Sequence, residues 1–128
     1  MHPISELLCE TYDELYRRGK VKFPLHNKHR TTLDSIVKTV NSNYFGVERY
    51  PTPIDKAVAY LCLIIKDHPV TDGNKRMAVL WFRVYCDAQN LQPSIVSLSL
   101  DELAVSIEQE DLAMDELMDV VKRILFEE

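Results

Sequence analysis

Glycine and paired cysteines are both scarce in this sequence of 128 residues. Three glycines stand against six prolines, which excludes a collagen-like chain and a glycine-rich linker. The three cysteines, Cys9, Cys62 and Cys86, are odd in number and form no CxxC pair, so a disulfide framework is not indicated. We therefore expect reduced, mostly buried thiols and a cytoplasmic protein.

Long apolar runs and an excess of positive charge are also missing. No apolar stretch approaches the roughly 18 residues that a membrane span needs, and no basic segment precedes an apolar run at the N-terminus, so no signal peptide is expected. The net charge of −5 argues against direct binding of nucleic acid and against a DNA-associated regulator. Hydrophobic content of 46% and charged content of 27% suit a globular protein, and the length suits one domain over residues 1–128.

Apolar residues recur at helical spacing through most of the chain. This periodicity predicts an all-α fold, with helices over residues 4–18, 31–40, 54–67, 75–90, 101–109 and 114–126. The helices at 54–67 and 75–90 are apolar over most of their surface, so we expect them to form a buried central hairpin. The stretch 41–53 breaks the pattern and ends with two prolines, which indicates a loop or a small two-stranded flap.

Two further patterns suggest chemistry that the sequence does not complete. His26 and His29 have the spacing of half a zinc site, but no second pair accompanies them, so we expect exposed loop histidines. Cys62 stands near His68 in the sequence, as a thiol nucleophile would. It lies in an apolar run without a neighbouring cation, which raises rather than lowers a thiol pKa, and we assign it to the core.

The segment between the two central helices concentrates the chemistry of the chain. Its sequence is His-Pro-Val-Thr-Asp-Gly-Asn-Lys-Arg, at positions 68–76. Pro69 interrupts the helix, Asp72-Gly73 predicts a tight turn, and Asn74 suits an N-cap. We expect a loop and then a helix that begins at about Lys75.

Two cations at the start of that helix point to a bound anion. Lys75 and Arg76 stand at the positive end of the helix dipole, which disfavours cations unless an anion offsets them. The backbone N–H groups of Gly73, Asn74 and Lys75 would face the same anion, and phosphate is the usual occupant of such a site. A solvated, inert basic turn is the alternative. A carboxylate for Mg²⁺ and an imidazole for a proton in the same segment favour phosphoryl or nucleotidyl transfer.

The segment resembles the signature of the Fic/Doc (fido) family, which is His-Pro-Phe-x-Asp/Glu-Gly-Asn-Gly/Lys-Arg. Seven of nine positions match, at His68, Pro69, Asp72, Gly73, Asn74, Lys75 and Arg76. The resemblance is closest to the death-on-curing (Doc) toxin branch, because Lys75 and Val79 stand where AMP-transferring members usually have glycine and a second arginine. Val70 replaces a phenylalanine that anchors the loop in relatives, which leaves the rigidity of the loop open.

The resemblance implies a compact Fic/Doc-like helical bundle whose central hairpin carries the active-site loop. It implies the cofactors ATP and Mg²⁺, His68 as general base and Arg76 as a second catalytic residue. Asp72 would hold the metal, and phosphate would be bound by Gly73, Asn74, Lys75 and Arg76. The flap, with Tyr44, Phe45, Gly46 and Val47, would align the target segment. The implied partners are a protein substrate such as a translation factor and a separate antitoxin.

The sequence favours transfer of a phosphoryl group onto a Ser/Thr hydroxyl of a target protein by a Doc-like toxin. Lys75 fills space that the phosphate chain occupies in AMP-transferring relatives, so a kinase is favoured over an AMP transferase. The alternatives are Fic-type AMP transfer and a binding module weakened by Val70. Self-blocking relatives carry a Ser/Thr-x-x-x-Glu-Gly/Asn motif. Its nearest match here is Ser106-x-x-x-Glu110, followed by Asp111, so we expect no internal inhibitory helix.

Overall fold

The computed structural model describes residues 1–94 and 97–126, and within them the chain forms six helices and a two-stranded sheet. The elements are α1 Pro3–Arg17, α2 Asn27–Val40, β1 Asn43–Tyr44, β2 Val47–Glu48, α3 Pro53–Asp67, α4 Asn74–Ala88, α5 Ser97–Gln109 and α6 Met114–Phe126. The expected all-α fold with a small flap is confirmed. No helix in this part of the chain is long and apolar enough to cross a membrane.

Helix α3 lies at the centre of the bundle. It packs against α2, α4, α5 and α6, and every residue from 57 to 65 is buried. Such burial all round explains why its sequence is apolar on nearly every face. Thr52 caps its first turn by accepting the N–H of Asp55 at 3.0 Å, and Pro53 takes the first helical position, where its missing N–H costs nothing. The predicted central hairpin of α3 and α4 is confirmed, and it displays the connecting loop at one end.

Helix α2 begins four residues earlier than predicted, and this changes the role of a histidine. His29 Nδ1 accepts the backbone N–H of His26 at 3.1 Å, which satisfies one of the N–H groups that a helix start leaves free. His29 is 8% exposed. The expectation of two exposed loop histidines is therefore wrong for His29, because its ring caps the helix and packs inward.

Helix α5 also begins before its predicted start. It starts at Ser97, so the Ser99–Glu102 pair that resembles a capping box lies inside the helix. Its buried residues Leu100, Ala104 and Ile107 face the core. Leu100, Ala104 and Glu108 are spaced four residues apart, so the Glu108 side chain lies on the same inner face of the helix, in its last turn.

The flap is a minimal hairpin. Tyr44 pairs with Val47 in antiparallel register, and the two turn residues, Phe45 and Gly46, have φ of 52° and 80°. Positive φ at both positions matches the turn that suits the twist of a two-residue hairpin. Lys56 of α3 fixes its base, since Lys56 Nζ donates to Tyr50 O at 2.6 Å.

Candidate active site

The loop of residues 68–73 joins α3 to α4, and we call it the catalytic loop for the role that the resemblance implies. His68 ends α3 in the left-handed region with φ of 47°, which turns the chain away from the helix axis. Pro69 and Val70 then enter the core, where Val70 is 5% exposed. Gly73 follows with φ of 83° and serves as the N-cap of α4. Two sharp reversals thus bring the histidine and the start of α4 to the same end of the hairpin.

Asn74 fastens this loop instead of capping the helix. It is the first residue of α4 and is 8% exposed. Its Oδ1 accepts the N–H of Val70 at 3.0 Å, and its Nδ2 donates to the carbonyl of Val70 at 2.8 Å. The predicted N-cap at Asn74 is wrong because Gly73 takes that position and the amide turns back on the loop. Val70 is consequently held at both backbone groups although it is smaller than phenylalanine.

The second amide hydrogen of Asn74 reaches His68, whose Nδ1 lies 3.3 Å from Asn74 Nδ2. The two bonds to Val70 fix which end of the amide is nitrogen. An amide nitrogen has hydrogens and no lone pair to offer, so Nδ1 of the neutral imidazole accepts. The ring proton then resides on Nε2.

Residues 18–26, the support loop between α1 and α2, hold the acidic group of the site. The backbone N–H of Lys22 donates to Asp72 Oδ2 at 2.9 Å. The buried Tyr12 hydroxyl donates to the carbonyl of Phe23 at 2.6 Å and lies 3.4 Å from the carbonyl of Asp72. Tyr12 thereby links the two loops, and the second oxygen of the Asp72 carboxylate has no partner among the described residues.

The support loop also meets the start of α4. Arg76 Nη1 donates to the carbonyl of Lys20 at 2.8 Å, which leaves other N–H groups of its guanidinium for a ligand. Val21 packs directly against Gly73: a Cβ built on Gly73 would overlap Val21 Cγ1 and lie 3.3 Å from Val21 Cβ. Glycine at position 73 is required both by its φ and by this contact.

A groove of about 900 Å³ opens beside the start of α4. Its lining includes the cations Lys20, Lys22, Lys75, Arg76 and Arg83. Within residues 1–94 and 97–126, no hydrogen bond engages the backbone N–H groups of Asn74, Lys75 or Arg76. Free N–H groups and cations at a helix start form an anion site. The apolar residues Leu80 and Val105 also line the groove.

Glu108 of α5 closes one side of the site. Its Oε1 lies 3.0 Å from Lys75 Nζ, and its Oε2 lies 3.4 Å from His68 Nε2. The carboxylate is about 30% exposed, whereas the His68 side chain is 54% exposed. Glu110, which the sequence had singled out, uses its carboxylate only on the N–H of Asp111 at 3.1 Å within the described contacts.

Comparison with known proteins identifies the family of this chain. A model of the Fic/DOC family matches residues 3–86, a range that includes α1, the support loop, the flap, the catalytic loop and most of α4. This chain belongs to the Fic/DOC family.

A curated relative is similar over a shorter segment. It is named Toxin Doc, from Mycolicibacterium smegmatis, and is 41% identical over 46 residues. The segment covers 36% of this chain and 35% of the relative, so the similarity spans about a third of that protein's length. No solved structure matches the chain significantly.

The Fic/DOC signature residues of this chain converge on one end of the hairpin. His68, Asp72, Gly73, Asn74, Lys75 and Arg76 all lie within the catalytic loop and the first turn of α4. The flap residues Tyr44, Phe45 and Val47 are 77%, 93% and 70% exposed. Their side chains are therefore available to a partner and contribute little to the core. Val79 lines the groove and is buried, so the position where relatives carry a second arginine is apolar here.

The residues present fit a magnesium ion that is shared with a phosphate chain. Asp72 contributes one carboxylate, and no group of three or more His, Cys, Asp or Glu residues that could hold a metal occurs in the described ranges. Mg²⁺ is commonly bound through one or two carboxylates together with substrate phosphates, so a single carboxylate beside an anion site suits it.

Cys62 is not part of the site. It is fully buried in α3, and burial raises the pKa of its thiol to about 12. A thiol with that pKa supplies almost no thiolate near neutral pH, which agrees with its assignment to the core.

Sequence reasoning missed Tyr12, Lys22, His29 and Glu108. Lys22 acts through its backbone, which no side-chain pattern reveals. Glu108 could have been found from its spacing, because it lies four residues after Ala104 and eight after Leu100. A carboxylate on the same helix face as these apolar residues points at a neighbouring element. For His29 the signal was its three-residue spacing from His26, which suits a contact within the first turn of a helix.

Proposed function

We propose that this Fic/DOC protein transfers the γ-phosphoryl group of ATP, in the presence of Mg²⁺, to a Ser/Thr hydroxyl of a target protein. The observation that carries the proposal is the start of α4, where Lys75 and Arg76 line the groove. Among the described residues nothing engages the backbone N–H groups of Asn74 and Lys75, and the Asn74 side chain links this helix start to His68. Phosphoryl transfer depends mostly on positioning and on stabilising charge, and this arrangement supplies both.

In the proposed reaction His68 acts as the general base. The target oxygen forms a bond to the γ-phosphorus while the bond from that phosphorus to the β–γ bridging oxygen breaks and ADP leaves. The hydroxyl proton would pass to Nδ1 of His68, the nitrogen without a proton, and this requires its contact with Asn74 to open. Lys75 and Arg76 would stabilise the charge that builds up on the phosphoryl oxygens.

The remaining signature residues have supporting roles in this proposal. The N–H groups at Gly73, Asn74 and Lys75 would cradle phosphate. Asp72 would hold Mg²⁺, which neutralises phosphate charge when bound. Lys22 would orient Asp72 by keeping one carboxylate oxygen occupied. The exposed flap would align the target segment by adding it as a strand.

The proposed biological role is that of a toxin directed at a protein such as a translation factor, with a separate antitoxin. Support comes from family membership and from the segment shared with a protein named Toxin Doc. The proposed setting is the cytoplasm, where ATP and translation factors are abundant.

AMP transfer is the second candidate, and one observation favours it. Gly73 retains the small residue of the Fic form of the signature, and Val21 packs so closely on it that a larger residue does not fit. Against this, Lys75 and the apolar Val79 differ from the residues usual in AMP-transferring relatives. The third candidate, a binding module with a loosened loop, loses support because Val70 is buried and held at both backbone groups.

Labelled nucleotide distinguishes these candidates. The purified protein is incubated with a cell lysate, Mg²⁺ and ATP labelled at the α or the γ position, and labelled proteins are identified by mass spectrometry. We expect label on a target only from the γ position, and a loss of roughly 10²–10⁴-fold in His68→Ala. Label only from the α position would replace the proposal with AMP transfer. Nucleotide binding without label from either position would support the binding module.

A further inference from the structure

The groove beside the start of α4 is positive although the chain as a whole is negative. Five cations and two carboxylates, Asp72 and Asp101, line the groove, whereas the net charge of the sequence is −5. A cleft lined by one sign of charge concentrates ligands of the opposite sign. Three of the cations belong to α4, and the other two, Lys20 and Lys22, come from the support loop. The groove therefore receives positive charge from two separate elements.

The backbone of the support loop is fixed against the signature residues. The carbonyl of Lys20 accepts a hydrogen bond from Arg76 Nη1 at 2.8 Å. The N–H of Lys22 donates to Asp72 Oδ2 at 2.9 Å. The residue between the two lysines packs against the glycine that caps α4. These hydrogen bonds use only the backbone of the two lysines, so they hold both residues beside the proposed phosphate and metal ligands and leave their side chains available.

Neither lysine ammonium has a partner within residues 1–94 and 97–126. No hydrogen bond or ion pair engages the side chain of Lys20 or Lys22 in this part of the chain, and both residues are exposed. The signature cations are already engaged, since Lys75 Nζ pairs with Glu108 at 3.0 Å and Arg76 donates to the support loop. The two support-loop lysines therefore add uncommitted positive charge to the groove.

We infer that Lys20 and Lys22 bind the phosphate chain of the nucleotide from the support loop, while the signature cations bind it from α4. The inference rests on the proposed function and deepens it, because it adds two phosphate ligands outside the signature. An ammonium group is a compact charge with three donors and is a common phosphate ligand. The fixed backbone of the loop limits the entropy that is lost when the two side chains engage.

An acidic segment of the target protein is the competing ligand for the same charges. The position of the lysines favours the nucleotide, because their backbone groups contact Asp72 and Arg76. These two residues are the proposed metal ligand and a proposed phosphate ligand. The side chain of Lys22 thus has a role in addition to that of its backbone N–H.

Nucleotide affinity tests the inference without relying on turnover. Calorimetry measures the binding of ATP–Mg²⁺ and of AMP to the wild type, Lys20→Gln, Lys22→Gln and Lys28→Gln. Glutamine removes the charge and keeps the backbone groups on which the loop contacts depend. We expect ATP to bind Lys20→Gln and Lys22→Gln each roughly 5-fold more weakly, at the upper end of the range for exposed ion pairs. Lys28→Gln makes the same charge change at an exposed position of α2 outside the groove, and it should bind ATP like the wild type.

The comparison of ATP with AMP tests whether the lysines contact the phosphate chain. The loss of affinity in Lys20→Gln and Lys22→Gln should be larger for ATP than for AMP, because AMP lacks the outer phosphates and carries less charge. Added salt should reduce the difference between the wild type and these variants, since salt screens charges at an exposed site. Equal losses for the two nucleotides would overturn the inference.

Target labelling distinguishes the nucleotide from an acidic segment of the target. The wild type and the three variants are incubated with the cell lysate, Mg²⁺ and labelled ATP. Unchanged ATP affinity together with reduced labelling in Lys20→Gln or Lys22→Gln would assign the lysines to the target and would overturn the inference.

The outcomes also separate the two proposals. Equal ATP affinity in all four proteins would refute the role of the lysines and leave the proposed function standing. A lack of ATP binding in every protein, including the wild type, would refute the proposed function and the inference with it. An equal loss in Lys28→Gln would point to a general charge effect and would also overturn the inference.

Discussion

At the scale of single residues, the site depends on Gly73 and Asn74, which are needed because of the residues that they contact. Gly73 is needed because its φ is positive and Val21 lies against it. Asn74 is needed because it satisfies both backbone groups of the buried Val70. Neither residue is proposed to transfer a proton, but both fix the positions of His68 and Lys75.

Gly73→Ala should destabilise the protein more than an alanine at another left-handed glycine. Gly19 is a matched control, since its φ is 69° and no atom lies near its missing Cβ. We expect Gly19→Ala to cost about 1–2 kcal/mol from backbone strain. Gly73→Ala should cost about 2–5 kcal/mol, because overlap with Val21 is added. Urea denaturation measures both, and equal losses would show that Val21 yields without cost.

The buried His29 should make stability depend on pH. Its Nδ1 caps α2 and its Nε2 lies 3.3 Å from Thr71 Oγ1 in the catalytic loop. Burial is the main cause that lowers the pKa of His29 below its ordinary 6.5, and the charges of Lys28 and His26 act in the same direction. The unfolded chain therefore binds this proton more readily, so the contribution of neutral His29 is complete above pH 6.5 and is lost as the pH falls toward the lowered pKa.

Thermal denaturation across this pH range should show the effect. We expect the stability of the wild type to fall more steeply below pH 6.5 than that of His29→Gln. His26→Gln is the control, because it keeps the backbone N–H that His29 accepts. Parallel pH profiles for the wild type and His29→Gln would rule out His29 as the source of the slope.

At the scale of elements, α3 and α4 form a buried support, and the functional groups come from the segments around their shared end. The support loop contributes backbone groups, and α5 contributes Glu108. The flap is different, because its apolar side chains are exposed. This division suits a site in which the nucleotide side is fixed and the target side adapts to a partner.

Shortening the exposed side chains of the flap should therefore weaken target recognition and leave folding unchanged. Tyr44→Ala and Val47→Ala should each change the free energy of unfolding by less than about 0.5 kcal/mol, as is usual for exposed positions. Together they should lower target labelling by roughly 10-fold, which corresponds to a loss of about 1.4 kcal/mol of binding. Nucleotide affinity should be unchanged. Val84→Ala, at an exposed position of α4, is the control, and an equal loss of labelling in that variant would contradict a role specific to the flap.

At the scale of the whole molecule, the described residues share one hydrophobic core that includes all three cysteines. Cys9 lies on α1, Cys62 on α3 and Cys86 on α4. Burial raises the pKa of Cys62 and Cys86 to about 12 and also raises that of Cys9. The thiols are thus protected both by their low accessibility and by a shortage of thiolate.

The three thiols should become reactive together. We expect negligible reaction with a thiol reagent in the native protein and parallel reaction of all three as denaturant unfolds it, because one cooperative core protects them. Mass spectrometry of partly alkylated protein measures the distribution. A singly alkylated species at low denaturant would contradict this prediction and would show that its helix opens before the rest.

Local sequence patterns were enough to predict the helical class, the central hairpin and the loop that joins its two helices. These features depend on local periodicity and on residues adjacent in the chain, from His68 to Arg76, so a linear pattern contains them. The last helix, Met114–Phe126, begins and ends where its apolar spacing predicts. The assignment of one domain to residues 1–128 and the roles of the signature residues stay predictions.

How the loop is held and which residues face it depend on tertiary packing. Lys22 meets Asp72 across fifty positions of the chain, and Glu108 meets Lys75 across thirty-three. Asn74 became a fastening residue because Val70 left two buried backbone groups to be satisfied. His29 became a cap because α2 starts earlier than its apolar residues indicate. Each contact depends on how separate elements pack, and the spacing of residues within one element does not contain that information.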